Sequence, residues 1–311
     1  MSTRQTIGFI GIGVMGQPMS LHLIRAGHDV VVFDVRADAM AVAVNAGARA
    51  AASVRAVCDQ AALVFTSLPS PKSFSEVMTG EAGVSTGSAV RVAVDTSTVG
   101  PRATRAAAEA LRLRGIELVD APVSGGASGA EKAKLSVIVS GASQAIDTAM
   151  PILKLFGKPT VVGAEPGQAQ LLKLLNNMLS STALAVTAEA FVAGVKGGLD
   201  PKLMLDVLNI SSGRSAASQE KFVRQVLPRT FDFGFPIAGV CKDIGLAVEE
   251  CEALGVPMWI GQQSRQLWNF ALKQGAGNRD MTEIVRLMEA WAGAEPPEPV
   301  PAESAAPPAA Q

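Results

Sequence analysis

Side chains and backbone turns able to carry chemistry fall in a few short runs of this chain. Gly11, Gly13 and Gly16 form a G-x-G-x-x-G run, Gly11-Ile12-Gly13-Val14-Met15-Gly16, directly after the apolar stretch Thr6–Ile10. The spacing predicts a strand, a tight turn and a helix. The first glycine permits the turn, the second lets the backbone approach a pyrophosphate, and the third lets the helix pack near the strand. An anion there meets free N–H groups at the helix start. Asp34 closes the next apolar run, where a carboxylate can accept hydrogen bonds from an adenosine ribose. An acid at that place favours NAD, because it would face a 2′-phosphate with like charge. Arg36 could pair that phosphate, so NADP stays open. A purely structural turn is the alternative for the glycine run.

A second group lies far along the chain. Lys173, Asn176 and Asn177 stand at i, i+3 and i+4, so the amine and two amides share one flank of a helix otherwise rich in leucine. Such a flank faces either a polar cleft or solvent. An amine is a poor base near neutrality, but partial desolvation, the helix dipole and a nearby lysine each favour its neutral form. Ser124-Gly125-Gly126 offers a hydroxyl and unencumbered N–H groups that can surround a carboxylate, or is an unoccupied turn. Leu68-Pro69 and Thr96-Ser97-Thr98 follow predicted parallel strands and could line the nicotinamide side of a cofactor, or be ordinary turns. Ser211, Ser212 and Arg214 could meet the far end of a substrate, or simply join two helices.

The elements that must position these groups change character along the chain. Through the first 120 residues, short Val-, Ile- and Phe-rich runs alternate with alanine-rich helical segments. Predicted strands cover 6–10, 30–33, 63–66, 90–94, 116–119, 135–139 and 160–162. Predicted helices cover 18–25, 37–45 and 103–112. This is the pattern of a largely parallel sheet covered on both faces. From Gln168 to about Val195 one long helix is expected, free of proline and about 40 Å long at 1.5 Å per residue. After Asp200-Pro201, a cap and first-turn pair, the chain reads as helices broken near 211–213 and 231–236. The expected fold class is an α/β Rossmann-type N-terminal domain plus an all-α C-terminal domain joined by a long helix. The expected boundaries are 1–165, 166–293 and a Pro/Ala-rich disordered tail, 294–311.

Composition narrows the function classes. Lys plus Arg is 27 and Asp plus Glu is 28, a net charge of -1 that offers no global field for nucleic acid or anionic membrane. Cys58, Cys241 and Cys251 form no close ligand pair, so neither a metal cluster nor a disulfide framework is expected. The N-terminus lacks a secretory pattern, and elsewhere glycine and charge are expected to break apolar stretches short of spanning length, pointing to a cytoplasmic protein. Tyr is absent and His occurs twice, both before residue 30. Acid/base work therefore falls to Lys, Asp, Ser or Asn.

Four segments together, 8–16, Asp120-Ala-Pro-Val-Ser-Gly-Gly126, Lys173 to Asn177, and Lys242-Asp243, resemble the β-hydroxyacid dehydrogenases over residues 5–292. The resemblance implies a dimeric or tetrameric enzyme with NAD, or NADP, and an active site between two domains. It implies that Lys173 is the catalytic acid/base, that Ser124, Gly125 and Gly126 contact the substrate carboxylate, and that Asn177 helps hold the substrate. Lys242 would stand near the cofactor or pair with Asp243, and Leu68, Pro69 and Thr98 would touch the cofactor. The expected reaction is hydride transfer between a small 3-hydroxy acid, or its semialdehyde, and nicotinamide. An imine reductase, another NADP-dependent reductase and a non-catalytic dinucleotide binder are the alternatives. Three positions depart from the family pattern. Lys173 lies six residues beyond Gly167 rather than four after a glycine of GxGxxxK. Ala133 replaces a usual glycine, and Gly239 a usual leucine.

Overall fold

A computed structural model describes residues 4–301. Two compact units divide at Leu174/Leu175. The first is built on a nine-stranded sheet in the order β3-β2-β1-β4-β5-β6-β8-β7, with β9 beside β8. The strands are β1 (Thr6–Ile10), β2 (Asp29–Phe33), β3 (Arg49–Ala50), β4 (Leu63–Thr66), β5 (Val92–Asp95), β6 (Glu117–Asp120), β7 (Val123–Ser124), β8 (Leu135–Ser140) and β9 (Gly157–Gly163). The six strands from β3 to β6 in that order are parallel, and β8 runs antiparallel to both β6 and β7.

The apolar runs become strands because both of their faces are covered. Every residue of β4 and β5 is buried, which a half-exposed strand with polar alternation would not allow. On one face Phe9 stacks on Phe65, with ring centroids 6.0 Å apart, and Phe65 meets Phe156 edge-on at 5.5 Å. The covering helices are α1 (Gly16–Arg25), α2 (Ala37–Asn45), α3 (Val54–Cys58), α4 (Pro71–Thr79), α5 (Pro101–Arg112), α6 (Gly126–Glu131) and α7 (Ser143–Leu153). Of these, α3, α4, α6 and α7 are additions to the sequence reading. Serine caps set α3 and α4, with Ser53 and Ser70 each accepting a backbone N–H three residues on.

The long helix α8 runs Gln168–Lys196. By length and composition it is apolar enough to cross a membrane, which corrects the expectation that no such stretch exists. Its Leu174, Leu184, Ala188 and Phe191 are buried. The second unit continues with α9 (Pro201–Ile210), a π-helical segment Ala217–Val226, α10 (Ile237–Ala253), α11 (Trp259–Ala271) and α12 (Ile284–Ala292). Asp200 caps α9 by accepting the Leu203 N–H at 2.7 Å, ahead of Pro201 in the first turn. Phe191, Phe222, Ile244, Trp268 and Ile284 centre this unit's core.

The tail expected to be disordered from residue 294 departs from that reading in its described part. Residues 295–301 form no regular element, yet Val300 donates its N–H to the Leu227 carbonyl at 2.9 Å and packs its side chain on the helical core. Residues 302–311 lie outside the described chain.

Candidate active site

The first unit gathers its candidate groups along one edge. Strands β1, β2, β4, β5 and β6 are parallel, and β7, antiparallel to β8, runs with them. The Gly11 turn, Asp34, Leu68-Pro69, Thr98 and Ser124 therefore all emerge at the carboxyl ends of strands. In an open α/β sheet that is where ligands bind, at the reversal of strand order that here falls between β1 and β4.

The turn after β1 is tight enough to demand its glycines. Gly11 has φ +89°, and a Cβ there would stand 2.2 Å from the Ser67 carbonyl oxygen; a Cβ on Gly16 would stand 1.9 Å from the Gly11 carbonyl oxygen. Nothing lies within 4 Å of a Cβ placed on Gly13. The chain thus crowds itself at two glycines and leaves open space at the one expected to face a pyrophosphate. Helix α1 begins without a side-chain cap; Gln17 gives its N–H to the Gly13 carbonyl at 2.9 Å and Pro18 has none, so an anion would meet the N–H groups of the turn that enters the helix. Asp34 holds the turn as well as the strand end. Its Oδ2 accepts the Ile12 N–H at 2.8 Å and its Oδ1 the Arg36 N–H at 2.9 Å. Arg36 is largely exposed, with Nε 3.8 Å from Asp34 Oδ1. These residues fit a dinucleotide, with Asp34 at the strand end hydrogen-bonded to the glycine turn.

The loops after β4 and β5 are stitched together. Ser97 Oγ accepts the Leu68 N–H at 2.7 Å and donates to Asp95 Oδ1 at 2.6 Å; Thr66 Oγ1 donates to the same oxygen at 2.6 Å. The other Asp95 oxygen is buried without a hydrogen-bond partner. Burial pushes the Asp95 pKa up to about 7, against the pull of its two hydroxyl donors, and the neighbouring Asp120 adds to the rise. A buried carboxyl with one oxygen lacking a donor and a second acid beside it suits a proton better than a charge.

Asp120 is the opposite case. Its Oδ2 accepts from the Gly167 and Gln170 N–H groups, each at 3.0 Å, and from Ser140 Oγ at 3.2 Å; its Oδ1 accepts from Gln170 Nε2 at 2.9 Å. Four donors and no acceptor hold it as a carboxylate, although burial pushes its pKa up to about 6. Gln170 also accepts from the Val99 and Gly100 N–H groups and donates to the Ser97 carbonyl. A strand-end acid thereby caps the start of α8 from outside the helix. This ties the helix's first turns to the sheet, which is why the units divide inside α8. Lys173 follows Gln170 by one turn and is 6% exposed. Of the two orientations open to this flank, the lysine is turned away from solvent.

The departures in sequence now have structural readings. GxGxxxK spans seven residues, as does Gly167 to Lys173, so there is no extra length; Ala169 stands at the second glycine. Ala169 is helical and fully buried, donating its N–H to Ser140 Oγ at 3.0 Å, a conformation that needs no glycine. Ala133 does occupy one that favours glycine, at φ +53°. At Gly239 a Cβ would stand 2.7 Å from the Phe235 ring, so that ring occupies the space of the missing leucine.

In the second unit Asn177 donates to Asp243 Oδ2 at 2.7 Å, and Lys242 Nζ lies 2.9 Å from Asp243 Oδ1. The structure joins Asn177 and Lys242 through a carboxylate that sequence reasoning noticed only as half of a pair. Asp95, Gln170 and Lys221 were not read from sequence at all, because nothing local marks a residue whose partners lie far along the chain. Ser124 is half-buried at the end of β7, and Gly125 and Gly126 are exposed at the start of α6, with φ +133° and +62°. Ser211, Ser212 and Arg214 lie exposed between α9 and the π-helical segment.

A parallel sheet with a glycine turn, an acid at the end of its second strand and a buried lysine on a capped helix defines an NAD(P)-dependent dehydrogenase or reductase. Residues 6–164 match the NAD binding domain of 6-phosphogluconate dehydrogenase, and residues 167–288 match the NAD-binding family of NADP-dependent 3-hydroxyisobutyrate dehydrogenase. The chain is 35% identical to the 2-(hydroxymethyl)glutarate dehydrogenase of Eubacterium barkeri over 92% of its own length and 96% of the relative's. It is 34% identical to the 3-hydroxyisobutyrate dehydrogenase of Pseudomonas aeruginosa, over 90% and 97%. A solved structure of the Mycobacterium tuberculosis 3-hydroxyisobutyrate dehydrogenase with L-serine superposes with a TM-score of 0.84 at 29% identity, covering 92% of this chain and 99% of that one. The chain belongs to the β-hydroxyacid dehydrogenase family.

Proposed function

We propose that this enzyme oxidises a small 3-hydroxy acid to its semialdehyde, or reduces the semialdehyde, with NAD. The observation that carries the reading is a buried Lys173 on a helix whose start is hydrogen-bonded to the sheet edge bearing the dinucleotide turn. When bound, the nicotinamide takes up or gives the hydride at the carbinol carbon. In oxidation Lys173 Nζ removes the hydroxyl proton; in reduction it returns a proton to the developing alkoxide. Ser124 with the N–H groups of Gly125 and Gly126 holds the substrate carboxylate, and Asn177, steadied by Asp243, holds the substrate beside the lysine. Gly11 to Gly16 cradle the pyrophosphate and Asp34 takes the adenosine ribose. Leu68, Pro69 and Thr98 border the nicotinamide, and Lys242 supports the cofactor side while paired with Asp243.

Residues 1–165 act as the cofactor domain and 166–293 as the substrate and dimerisation domain. An apolar groove of about 300 Å³ between α8 and the start of α11, bordered by the exposed Leu179, Trp259 and Ile260, supports pairing with a second copy. Three free thiols suit a reducing, cytoplasmic setting, and the near-neutral charge suits a small-molecule substrate. The test is a panel of 3-hydroxyisobutyrate, 2-(hydroxymethyl)glutarate, serine and glycerate followed at the nicotinamide absorbance with both cofactors. Turnover of a 3-hydroxy acid with NAD preferred is the expected result; activity on none of them sinks the reading.

A further inference from the structure

The helical unit buries one lysine that no carboxylate pairs with among the described residues. Lys221, on the π-helical segment Ala217–Val226, is 5% exposed. Its Nζ donates to Ser180 Oγ at 3.1 Å and stands 4.8 Å from the centroid of the Phe233 ring. Neither partner carries a negative charge. Burial pushes its pKa down, and the charge of the exposed Glu220 beside it works against that. The unit treats the half-buried Arg229 quite differently: it meets Glu289 through two bonds of 2.6 and 2.8 Å. An ammonium taken out of water with one hydroxyl and one ring face keeps donors unsatisfied. A residue that only filled the core would be cheaper as methionine.

Its position gives the lysine a use. Ser180 stands on α8 three residues after Asn177 and seven after Lys173. Positions at i, i+4 and i+7 share one flank, and seven residues span about 10 Å along the axis. Lys221 Nζ therefore lies against the same helix flank as the proposed substrate-holding amide, further from the reacting end.

We infer that Lys221 determines specificity by taking a second anionic group of the substrate, so that the preferred substrates are hydroxy acids bearing a further carboxylate. The inference rests on the reading of Lys173 and Asn177 given above. The second carboxylate supplies the charge that Lys221 lacks and accepts its remaining N–H donors. A monocarboxylate of equal length would leave those donors unpaired.

The experiment compares full-length enzyme with Lys221→Met on two substrates differing only at the far end, 2-(hydroxymethyl)glutarate and 2-(hydroxymethyl)pentanoate, with each cofactor. Wild type should favour the diacid in kcat/KM by at least about tenfold. The variant should lose about 10- to 100-fold on the diacid, the range for a hydrogen bond to a charged group, and change little on the monoacid. Its melting temperature should not fall, since a buried charge is replaced by a side chain of similar volume. Calorimetry with glutarate against butyrate reads the same preference without turnover, and the variant should lose it. Equal losses on both substrates, or a wild type indifferent to the far carboxylate, overturn the role of Lys221 while leaving the dehydrogenase reading intact. If no hydroxy acid is turned over with either cofactor, that reading falls and takes the role with it.

Discussion

Two residues divide the chemistry proposed here, and each has a substitution that isolates it. Lys173 is buried, so methionine preserves its stem and packing while removing the titrating nitrogen. Lys173→Met should lower kcat by about 100- to 10,000-fold, with cofactor affinity nearly unchanged. Single-turnover kinetics beside a fluorescence titration of NAD check this; a folded variant with near-native kcat would move the proton transfer elsewhere. Asp34 is less simple than its sequence position implies, because it also receives the Ile12 and Arg36 N–H groups. Asp34→Ser keeps an acceptor in the turn but removes the charge, and Arg36 remains to meet a 2′-phosphate. Its NAD-to-NADP ratio of kcat/KM should fall by about tenfold or more, the worth of one charge-assisted hydrogen bond. A wild type that already prefers NADP would contradict the role given to Asp34.

The element that matters most is the start of α8, because it carries Lys173 and because two buried acids lie beside it. Asp95 has a folded pKa near 7, above its ordinary carboxylate value. A raised acid pKa means the folded state holds the proton more tightly than the unfolded chain. The associated stability is full below about pH 4 and is lost as pH rises through about 7. Asp95→Asn abolishes that titration while keeping an acceptor for Thr66 and Ser97. Relative to wild type, the variant should therefore gain stability between pH 5 and pH 8, on the order of 2 kcal/mol, as denaturant unfolding at the two pH values would record. A difference independent of pH would mean that Asp95 stays ionised throughout. Asp120, by contrast, needs its charge, since the four hydrogen bonds that hold it all come from donors.

At the scale of the whole molecule, the exposed apolar residues on the helical unit are the main feature that a single copy leaves unsatisfied. Trp259 is 80% exposed and Ile260 69%, a costly arrangement for a chain working alone. If a second copy covers them, Trp259→Glu should shift the species seen by light scattering from dimer or tetramer toward monomer and lower the melting temperature by several degrees. An unchanged mass would assign this face to something other than assembly.

Sequence alone determined the elements whose patterns are local. The strands 6–10 and 63–66 and the helix 37–45 were legible to the residue, and α5, β6, β8 and α8 to within a few residues, because periodicity and glycine stops act over one or two turns. The dinucleotide turn and the Lys173-to-Asn177 spacing were legible for the same reason. Short helices such as α3 and α6 were not, since their few residues carry too little pattern to outweigh the turns around them. Tertiary structure alone decided the rest: that Asp120 caps a helix starting 48 residues later, that Asp243 steadies Asn177 across 66 residues, and that Lys221 is buried against Ser180. Burial and hydrogen-bond partnership depend on which elements the chain brings together, and no local spacing encodes that. The same limit applies to Val300, which meets the core from within a proline-rich tail that composition reads as disordered.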